Sequence, residues 1–231
     1  MNKVGWIIFS AAVVLLLGGL VVWTRMTNPP LDVSAVESNS ILAATEQSGN
    51  IADHVKGNKD GKILLVEYGD FQCPSCGAAH PHLNSLMEEY GDSTTFVYRN
   101  FPLTTIHPNA RAAAGAAEAA GLQGKYWEMY DMLFENQKSW SSLDASQRGS
   151  VFNGYAQALD LDLEKFTADV AATNVSKKIT FDQALGKNIG VNATPAFYLN
   201  GEKLDEETSS ALVNGDLTKI KEKLDALIQK Q

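Results

Sequence analysis

Two cysteines three residues apart are the side chains of this sequence best suited to covalent chemistry. Cys73 and Cys76 enclose Pro74 and Ser75 and are the only cysteines of the 231 residues. They follow an apolar, strand-like segment and open a segment with helical spacing, so we expect Cys73 at a helix N-terminus. Unpaired backbone N–H groups and the helix dipole favour a thiolate there. A stabilised thiolate stabilises the reduced dithiol, which makes the disulfide a stronger oxidant.

The same cysteines allow two other interpretations. A purely structural disulfide would close a very short loop and constrain little of the unfolded chain. A metal site is the sharper alternative, because His80 and His82 follow Cys76. Zinc needs about four converging ligands. On a helix His80 lies one turn beyond Cys76, whereas His82 points away. A metal-binding chaperone that uses Cys73, Cys76 and His80 therefore stays an alternative function.

A carboxyl group precedes the cysteine pair inside the apolar segment. Burying an ionised carboxylate without a partner costs several kcal/mol, so we expect Glu67 to have a raised pKa. Placed beneath the cysteines, Glu67 would accept the proton of Cys76 when that thiol attacks or leaves. The alternative is that strand twist places Glu67 at an exposed edge.

The elements around the cysteines form a βαβ pattern. We predict a buried strand over 63–68, a helix over 77–90 with a kink at Pro81, and a second strand over 94–101. Strand, helix and strand at this spacing favour a parallel pair of strands.

A helical block and a second strand group follow. Thr194-Pro195 interrupts a predicted strand, and Asn200-Gly201 is a hairpin signal. The predicted helices cover 109–120, 126–136, 145–159, 164–185 and 217–228, and the predicted strands cover 191–199 and 202–204.

The first residues predict a membrane anchor. The apolar run over 4–23 would span about 30 Å as a helix, which is the thickness of the hydrocarbon core of a bilayer. Trp6 and Trp23 lie near its ends. A cleaved signal peptide is the alternative, but it has a shorter apolar stretch followed by a small-residue cleavage site. We therefore expect residues 1–3 to form a short cytoplasmic tail.

The rest of the chain divides into a linker and one domain. Residues 24–60 are rich in Ser, Asn, Thr, Gly and Asp, which is typical of a tether, and 61–231 are enough for a single domain. The composition is 45% hydrophobic, which excludes wholesale disorder. The net charge of −8 argues against a nucleic-acid partner, which would require a basic surface.

Several segments together resemble the DsbA-like branch of the thioredoxin superfamily, and most closely its membrane-tethered members of the Gram-positive type. The resemblance covers residues 60–230 in the family's order. The matching segments are VEYGDFQCPSC over 66–76, YRNFPL over 98–103, HPNA over 107–110 with the Ala-rich run after it, GKYWEM over 124–129, and VNATPAF over 191–197 with Asn200-Gly201.

The resemblance implies a fold and a site. The fold is an α/β thioredoxin fold with an all-helical insertion over about 107–187, preceded by the transmembrane helix. The resemblance also implies that Pro195 is cis and that Thr194-Pro195 packs against the cysteine motif. Substrate backbone would bind at Thr194 and Pro195 beside Pro74 and Ser75.

The resemblance assigns a role to each catalytic side chain. Cys73 is the exposed nucleophile, Cys76 is the buried resolving cysteine, and Glu67 is the family's buried acid. The Pro74-Ser75 dipeptide differs from the Pro-His of the most oxidising members.

The implied activity is that of an extracytoplasmic thiol–disulfide oxidoreductase, a dithiol oxidase that forms disulfides in exported proteins. Its partners would be reduced or unfolded exported proteins and a membrane quinone-linked oxidase of the DsbB-like or vitamin K epoxide reductase-like kind. The protein would be single-pass, with its catalytic domain outside the cytoplasm. It needs no cofactor beyond its redox-active disulfide; some tethered members bind a structural calcium ion, for which the sequence assigns no residues. A reductase or isomerase of the same fold is the alternative.

Overall fold

A computed structural model describes residues 3–27 and 31–230. The chain divides after Asp32 into two compact units. The first contains helix α1 (Lys3–Thr27). Among the described residues, no helix combines the length and the apolarity required to cross a bilayer. The anchor over 4–23 therefore stays a prediction, and most of the tail predicted over 1–3 lies outside the described residues.

The second unit is built on a five-stranded sheet with the order β1-β3-β2-β4-β5. The central strands β2 and β3 are parallel and every residue in them is buried, whereas the other pairs of strands are antiparallel. The strands are β1 (Val55–Gly57), β2 (Ile63–Gly69), β3 (Thr94–Asn100), β4 (Ala196–Leu199) and β5 (Glu202–Lys203).

Helices flank the sheet and fill the insertion. Helix α2 (Pro74–Tyr90) joins β2 to β3, which confirms the predicted βαβ unit. Six helices lie between β3 and β4, and two follow β5. They are α3 (Ala110–Gly121), α4 (Tyr126–Glu135), α5 (Gln137–Trp140), α6 (Ala145–Ala158), α7 (Leu163–Val170), α8 (Thr173–Asn188), α9 (Glu206–Val213) and α10 (Thr218–Ile228).

Two elements near the C-terminus differ from the prediction. The strand predicted over 191–199 begins only at Ala196, after the cis Thr194–Pro195 bond. Helix α9 was not predicted from its short, polar sequence, and the side chain of Asp205 caps it by accepting the backbone N–H of Thr208.

The hairpin predicted at Asn200-Gly201 is present between β4 and β5. Asn200 has a φ of 49° and Gly201 a φ of 83°, as a type I′ turn requires. The backbone N–H of Leu64 donates to the Asn200 side chain at 2.7 Å. The hairpin is thereby fixed to the strand that leads to the cysteines.

Much of the segment predicted as a linker over 24–60 packs on the domain. Residues from Val33 onward belong to the second unit. The fully buried guanidinium of Arg99 on β3 donates to the carbonyls of Ser38 and Ser40 and to the carboxylate of Asp53. An arginine buried in this way needs hydrogen-bond acceptors, and the N-terminal segment of the second unit, residues 33–54, supplies them. The tether is therefore shorter than the predicted 24–60.

Candidate active site

Strand β2 and helix α2 place the two cysteines. Cys73 is the N-cap of α2, with Pro74 in the first turn. A tight turn leads into the helix, because the Cys73 N–H donates to the Asp70 carbonyl at 3.0 Å. The Gly77 N–H then donates to the Cys73 carbonyl at 3.1 Å. The expected position of the motif at a helix N-terminus is therefore confirmed, and both cysteines are free thiols.

The two sulfur atoms have different surroundings. Cys73 is 7% exposed and Cys76 is 1% exposed, so Cys73 is the more accessible of the two but less open than the sequence predicted. The Cys73 thiol donates to the Thr194 carbonyl at 3.4 Å. The Cys76 sulfur accepts the backbone N–H of Asp70 at 3.5 Å.

The pKa of Cys73 is lowered to about 5. The largest cause is hydrogen bonding from the Cys76 thiol. Burial acts in the opposite direction, and the Thr194 side chain and the backbone N–H groups of Cys76 and Ser75 lower the pKa further. The Thr194 hydroxyl has no hydrogen-bond partner in the described part of the chain, so it is free to donate to a thiolate. The sequence predicted the backbone contribution but neither side-chain contribution.

Cys76, in contrast, keeps its proton and stays a thiol. Its pKa is raised well above the usual value, first by burial, then by its hydrogen bond to Cys73, and then by the charge of Glu67. At neutral pH this pair therefore combines a Cys73 thiolate with a Cys76 thiol.

Glu67 lies fully buried on the central strand β2, so the alternative of an exposed edge is wrong. Burial raises its pKa to about 8; the Cys76 thiol acts against this rise and the charge of Cys73 adds to it. Neither carboxyl oxygen has a partner of good hydrogen-bond geometry among residues 3–27 and 31–230, so its contact with the Cys76 thiol is weak in this state. A neutral acid thus lies beside the buried cysteine.

The loop before β4 closes the other side of the site. The Thr194–Pro195 bond is cis, as the resemblance implied, and the Thr194 carbonyl contacts Cys73. A groove of about 790 Å³ runs from this loop along β5 and α9. Ser75, Thr194 and Pro195 line it, whereas Pro74 does not.

The histidines of α2 do not join the cysteines. The His80 ring contacts the Asp131 carboxylate at 2.7 Å and the Asn84 amide at 3.1 Å. Within the described ranges no three His, Cys, Asp or Glu side chains are grouped to hold a metal. The set Cys73, Cys76 and His80 is therefore not assembled, and no calcium site is assigned.

The helical insertion holds the cysteine loop through a residue that the sequence did not single out. The amide of Gln137 on α5 donates to the carbonyls of Phe71 and Cys73, at 2.7 and 2.9 Å. Gln137 lies 64 residues beyond Cys73, and α5 has only four residues, so no local pattern marks it.

A buried aspartate fixes the same loop from inside. The carboxylate of Asp70 accepts the backbone N–H groups of Gln72 and Leu103. It also contacts the His107 ring at 2.8 Å. Since the Asp70 N–H donates to Cys76, these contacts also position the buried sulfur.

Comparisons with known proteins agree with this geometry. A family model described as Thioredoxin matches residues 49–215. A thioredoxin-like oxidoreductase from Silicibacter pomeroyi DSS-3 is 25% identical with a TM-score of 0.57, over 74% of this chain and 96% of that chain. Oxidised BdbD from Bacillus subtilis is 20% identical with a TM-score of 0.64, over 81% of this chain and 96% of that chain.

Curated sequence relatives include the Na(+)/H(+) antiporter NhaA 1 of Salinispora arenicola. It is 40% identical over 151 residues, which are 65% of this chain and 22% of that protein. The chain thus spans about a fifth of the length of the curated relatives it matches.

The family match spans most of the chain, so the chain belongs to the thioredoxin family. It has the DsbA-like form of that fold, with the helices α3–α8 inserted between β3 and β4.

Proposed function

We propose that the protein is a thiol–disulfide oxidoreductase that oxidises dithiols to disulfides in exported proteins. One observation carries the proposal. Cys73 sits at the N-terminus of α2 against the Thr194 carbonyl, while Cys76 lies beneath it beside the buried acid Glu67. This arrangement supplies a low-pKa sulfur that is the more accessible of the two, a buried partner and a proton carrier within the segment 67–76.

The proposed reaction starts from the Cys73–Cys76 disulfide. A substrate thiolate attacks the Cys73 sulfur, the Cys73–Cys76 bond breaks, and Cys76 leaves and takes the proton of Glu67. A second substrate thiolate then attacks the substrate sulfur of the mixed disulfide, and Cys73 leaves as a thiolate. Two electrons have passed from the substrate to the protein, and Glu67 regains a proton from solvent.

Substrate backbone would bind in the groove beside Thr194, Pro195 and Ser75, with Pro74 holding the turn. The low pKa of Cys73 supports the oxidising direction, because a stabilised leaving thiolate favours the dithiol form. A reductase or isomerase would use the same atoms in reverse, and the reduction potential separates these activities.

The proposed setting is the outer face of a membrane. The apolar run over 4–23 would anchor the chain, with the catalytic unit extracytoplasmic. Reduced exported proteins would be the substrates, and a quinone-linked oxidase of the DsbB-like or vitamin K epoxide reductase-like kind would restore the disulfide. Ion transport is not part of the proposal, since the chain spans only about a fifth of the antiporters.

The test uses the oxidised full chain and a reduced peptide with two cysteines. The wild type should convert the peptide to its disulfide. Cys73→Ser should lose this activity entirely. Cys76→Ser cannot form the internal disulfide, but its Cys73 thiolate should attack the disulfide-linked dimer of a single-cysteine peptide, release one peptide as a thiolate and keep the other as a mixed disulfide that a reductant releases. Full dithiol oxidation by Cys73→Ser, or no exchange by the wild type, would refute the proposal.

A further inference from the structure

Two phenolic hydroxyls lie unused beneath the cysteine pair. The hydroxyls of Tyr98 on β3 and Tyr130 on α4 are buried without a hydrogen-bond partner among the described residues, as are both carboxyl oxygens of Glu67. Buried polar groups in native proteins are nearly always paired, so such a group of unpaired atoms needs an explanation. The groups are complementary, since a phenol donates and a carboxylate accepts.

The packing brings these groups into one compartment. Tyr98 is the register neighbour of Glu67 across the parallel strands. A Cβ on Gly69 would stand 2.8 Å from the Glu67 Oε1 and 2.8 Å from the Tyr98 Cζ, so the carboxyl group and the phenol ring both lie against this glycine. The Tyr130 ring packs edge-on against Tyr98, with 5.1 Å between the centroids.

The titratable groups around Glu67 come from three elements. Cys73 and Cys76 face it from α2, Tyr98 from β3 and Tyr130 from α4. On its other side the register neighbour of Glu67 on β4 is Phe197, which carries no charge. Negative charge on Cys76 or on Glu67 raises the pKa of both tyrosines.

We propose that Tyr98 and Tyr130 are positioning residues whose hydroxyls stabilise the Glu67 carboxylate that forms when Glu67 gives its proton to the departing Cys76. The inference rests on the proposed function and assigns it two further residues. Both phenols already pack in this compartment and their hydroxyls have no other partner among the described residues, so they are available to donate when the charge appears.

The ionisation states agree with this role. Burial raises the pKa of Glu67 to about 8, so the acid is neutral at rest and its oxygens are weaker acceptors than those of a carboxylate. Burial, followed by nearby negative charges, raises the pKa of both tyrosines well above the usual value, so each keeps its proton and stays a donor.

The test follows the Glu67 carboxyl directly. Carbon NMR of the reduced full chain with ¹³C-labelled glutamate gives the pKa of Glu67, and the signal is assigned by its loss in Glu67→Gln. Tyr98→Phe and Tyr130→Phe should each raise this pKa by about one unit, because a hydrogen bond to a charged group is lost. The double variant should raise it further.

Tyr126→Phe is the matched control. The Tyr126 hydroxyl is also buried and has no hydrogen-bond partner within the described residues. The carboxylates whose charges raise its pKa are Glu118, Asp182 and Asp53, and not Glu67. An unchanged pKa of Glu67 in both test variants, or an equal rise in Tyr126→Phe, would overturn the inference.

The second readout is the pH profile of the first exchange step, measured by stopped flow on the oxidised full chain. The part of the pH–rate profile that depends on the ionisation of Glu67 should shift to higher pH in Tyr98→Phe and in Tyr130→Phe, by the same amount as the pKa of Glu67. It should not shift in Tyr126→Phe. A wild type with no exchange would refute the proposed function, whereas normal wild-type exchange with an unmoved profile in Tyr98→Phe would refute only the role of the tyrosines.

Discussion

At the scale of single residues, two chemically identical thiols three positions apart acquire opposite properties. Cys73 accepts hydrogen bonds from the Cys76 thiol and from backbone N–H groups, which lowers its pKa to about 5. Cys76 is buried beside Glu67, which raises its own pKa. The thiolate state of Cys73, which the proposed function requires, is therefore set by its neighbours and not by the cysteine itself.

Thr194→Val tests one of those neighbours. It removes the hydroxyl that stabilises the thiolate but keeps the carbonyl that accepts from the thiol, so the pKa of Cys73 should rise by about one unit. The pH dependence of iodoacetamide alkylation of the reduced chain measures this, and the wild-type midpoint should lie near pH 5. Ser75→Ala keeps the backbone N–H and should leave the midpoint in place. An unmoved midpoint in Thr194→Val would show that the hydroxyl has no role.

Glu67→Gln tests the buried acid through stability. The pKa of Glu67 is about 8 in the folded chain against an ordinary 4.5, so keeping Glu67 neutral in the folded chain costs nothing further below pH 4.5 and progressively more as the pH rises to 8. The free energy of unfolding of Glu67→Gln should therefore exceed that of the wild type by about 3 kcal/mol at pH 7 and by nearly nothing at pH 4.

Urea unfolding of the reduced chain at several pH values measures this difference. Glu135→Gln changes an exposed carboxyl on α4 and should follow the wild type at every pH. A gain in Glu67→Gln that is the same at pH 4 and pH 7 would contradict the raised pKa.

At the scale of elements, the sequence predicts the parts that have strong local patterns. The strand β2 follows from its apolar run and the helix α2 from the helical spacing of its apolar residues, although α2 begins at Pro74 and not at Gly77 as predicted, and the strand β3 completes the βαβ pattern. Helix α9 and the true start of β4 do not, because short polar elements depend on a cap and on neighbouring strands.

The same limit applies to the site. Glu67 and the cysteines are marked by their own strand and helix, whereas the Thr194-Pro195 loop was placed only through the resemblance to a family. Gln137 was missed because its contacts with the cysteine loop are remote in sequence. Side chains that reach across the fold leave no local signal.

Gln137→Ala tests how the insertion holds the loop. The carbonyls of Phe71 and Cys73 would each lose a donor, so the free energy of unfolding should fall by about 1–3 kcal/mol. Gln123→Ala is the control, because its amide donates to the Asp162 carbonyl in an exposed position and should cost less than about 0.5 kcal/mol. Urea unfolding compares the two. Equal losses of unfolding free energy in Gln137→Ala and Gln123→Ala would show that the Gln137 hydrogen bonds do not stabilise the cysteine loop.

At the scale of the whole molecule, a buried network of charges joins the sheet, the insertion and the N-terminal segment. Arg99 and Lys178 both bind the buried carboxylate of Asp53, and Lys178 also binds Asp182 on its own helix. The backbone N–H of Asn100 on β3 donates to Asp182 at 3.2 Å. The cysteine site thus lies on a framework in which strands, inserted helices and the N-terminal segment are fixed together.

The Cys76 thiol, the Thr194 side chain and the backbone N–H groups at the start of α2 keep Cys73 as a stabilised thiolate, and we propose that this makes the Cys73–Cys76 disulfide an oxidant. The reduction potential of the full chain, obtained by equilibration with glutathione buffers, tests it most directly. Because the thiolate stabilises the dithiol form, we expect a potential clearly more positive than the value of about −270 mV typical of thioredoxin. A potential at or below about −270 mV would contradict it.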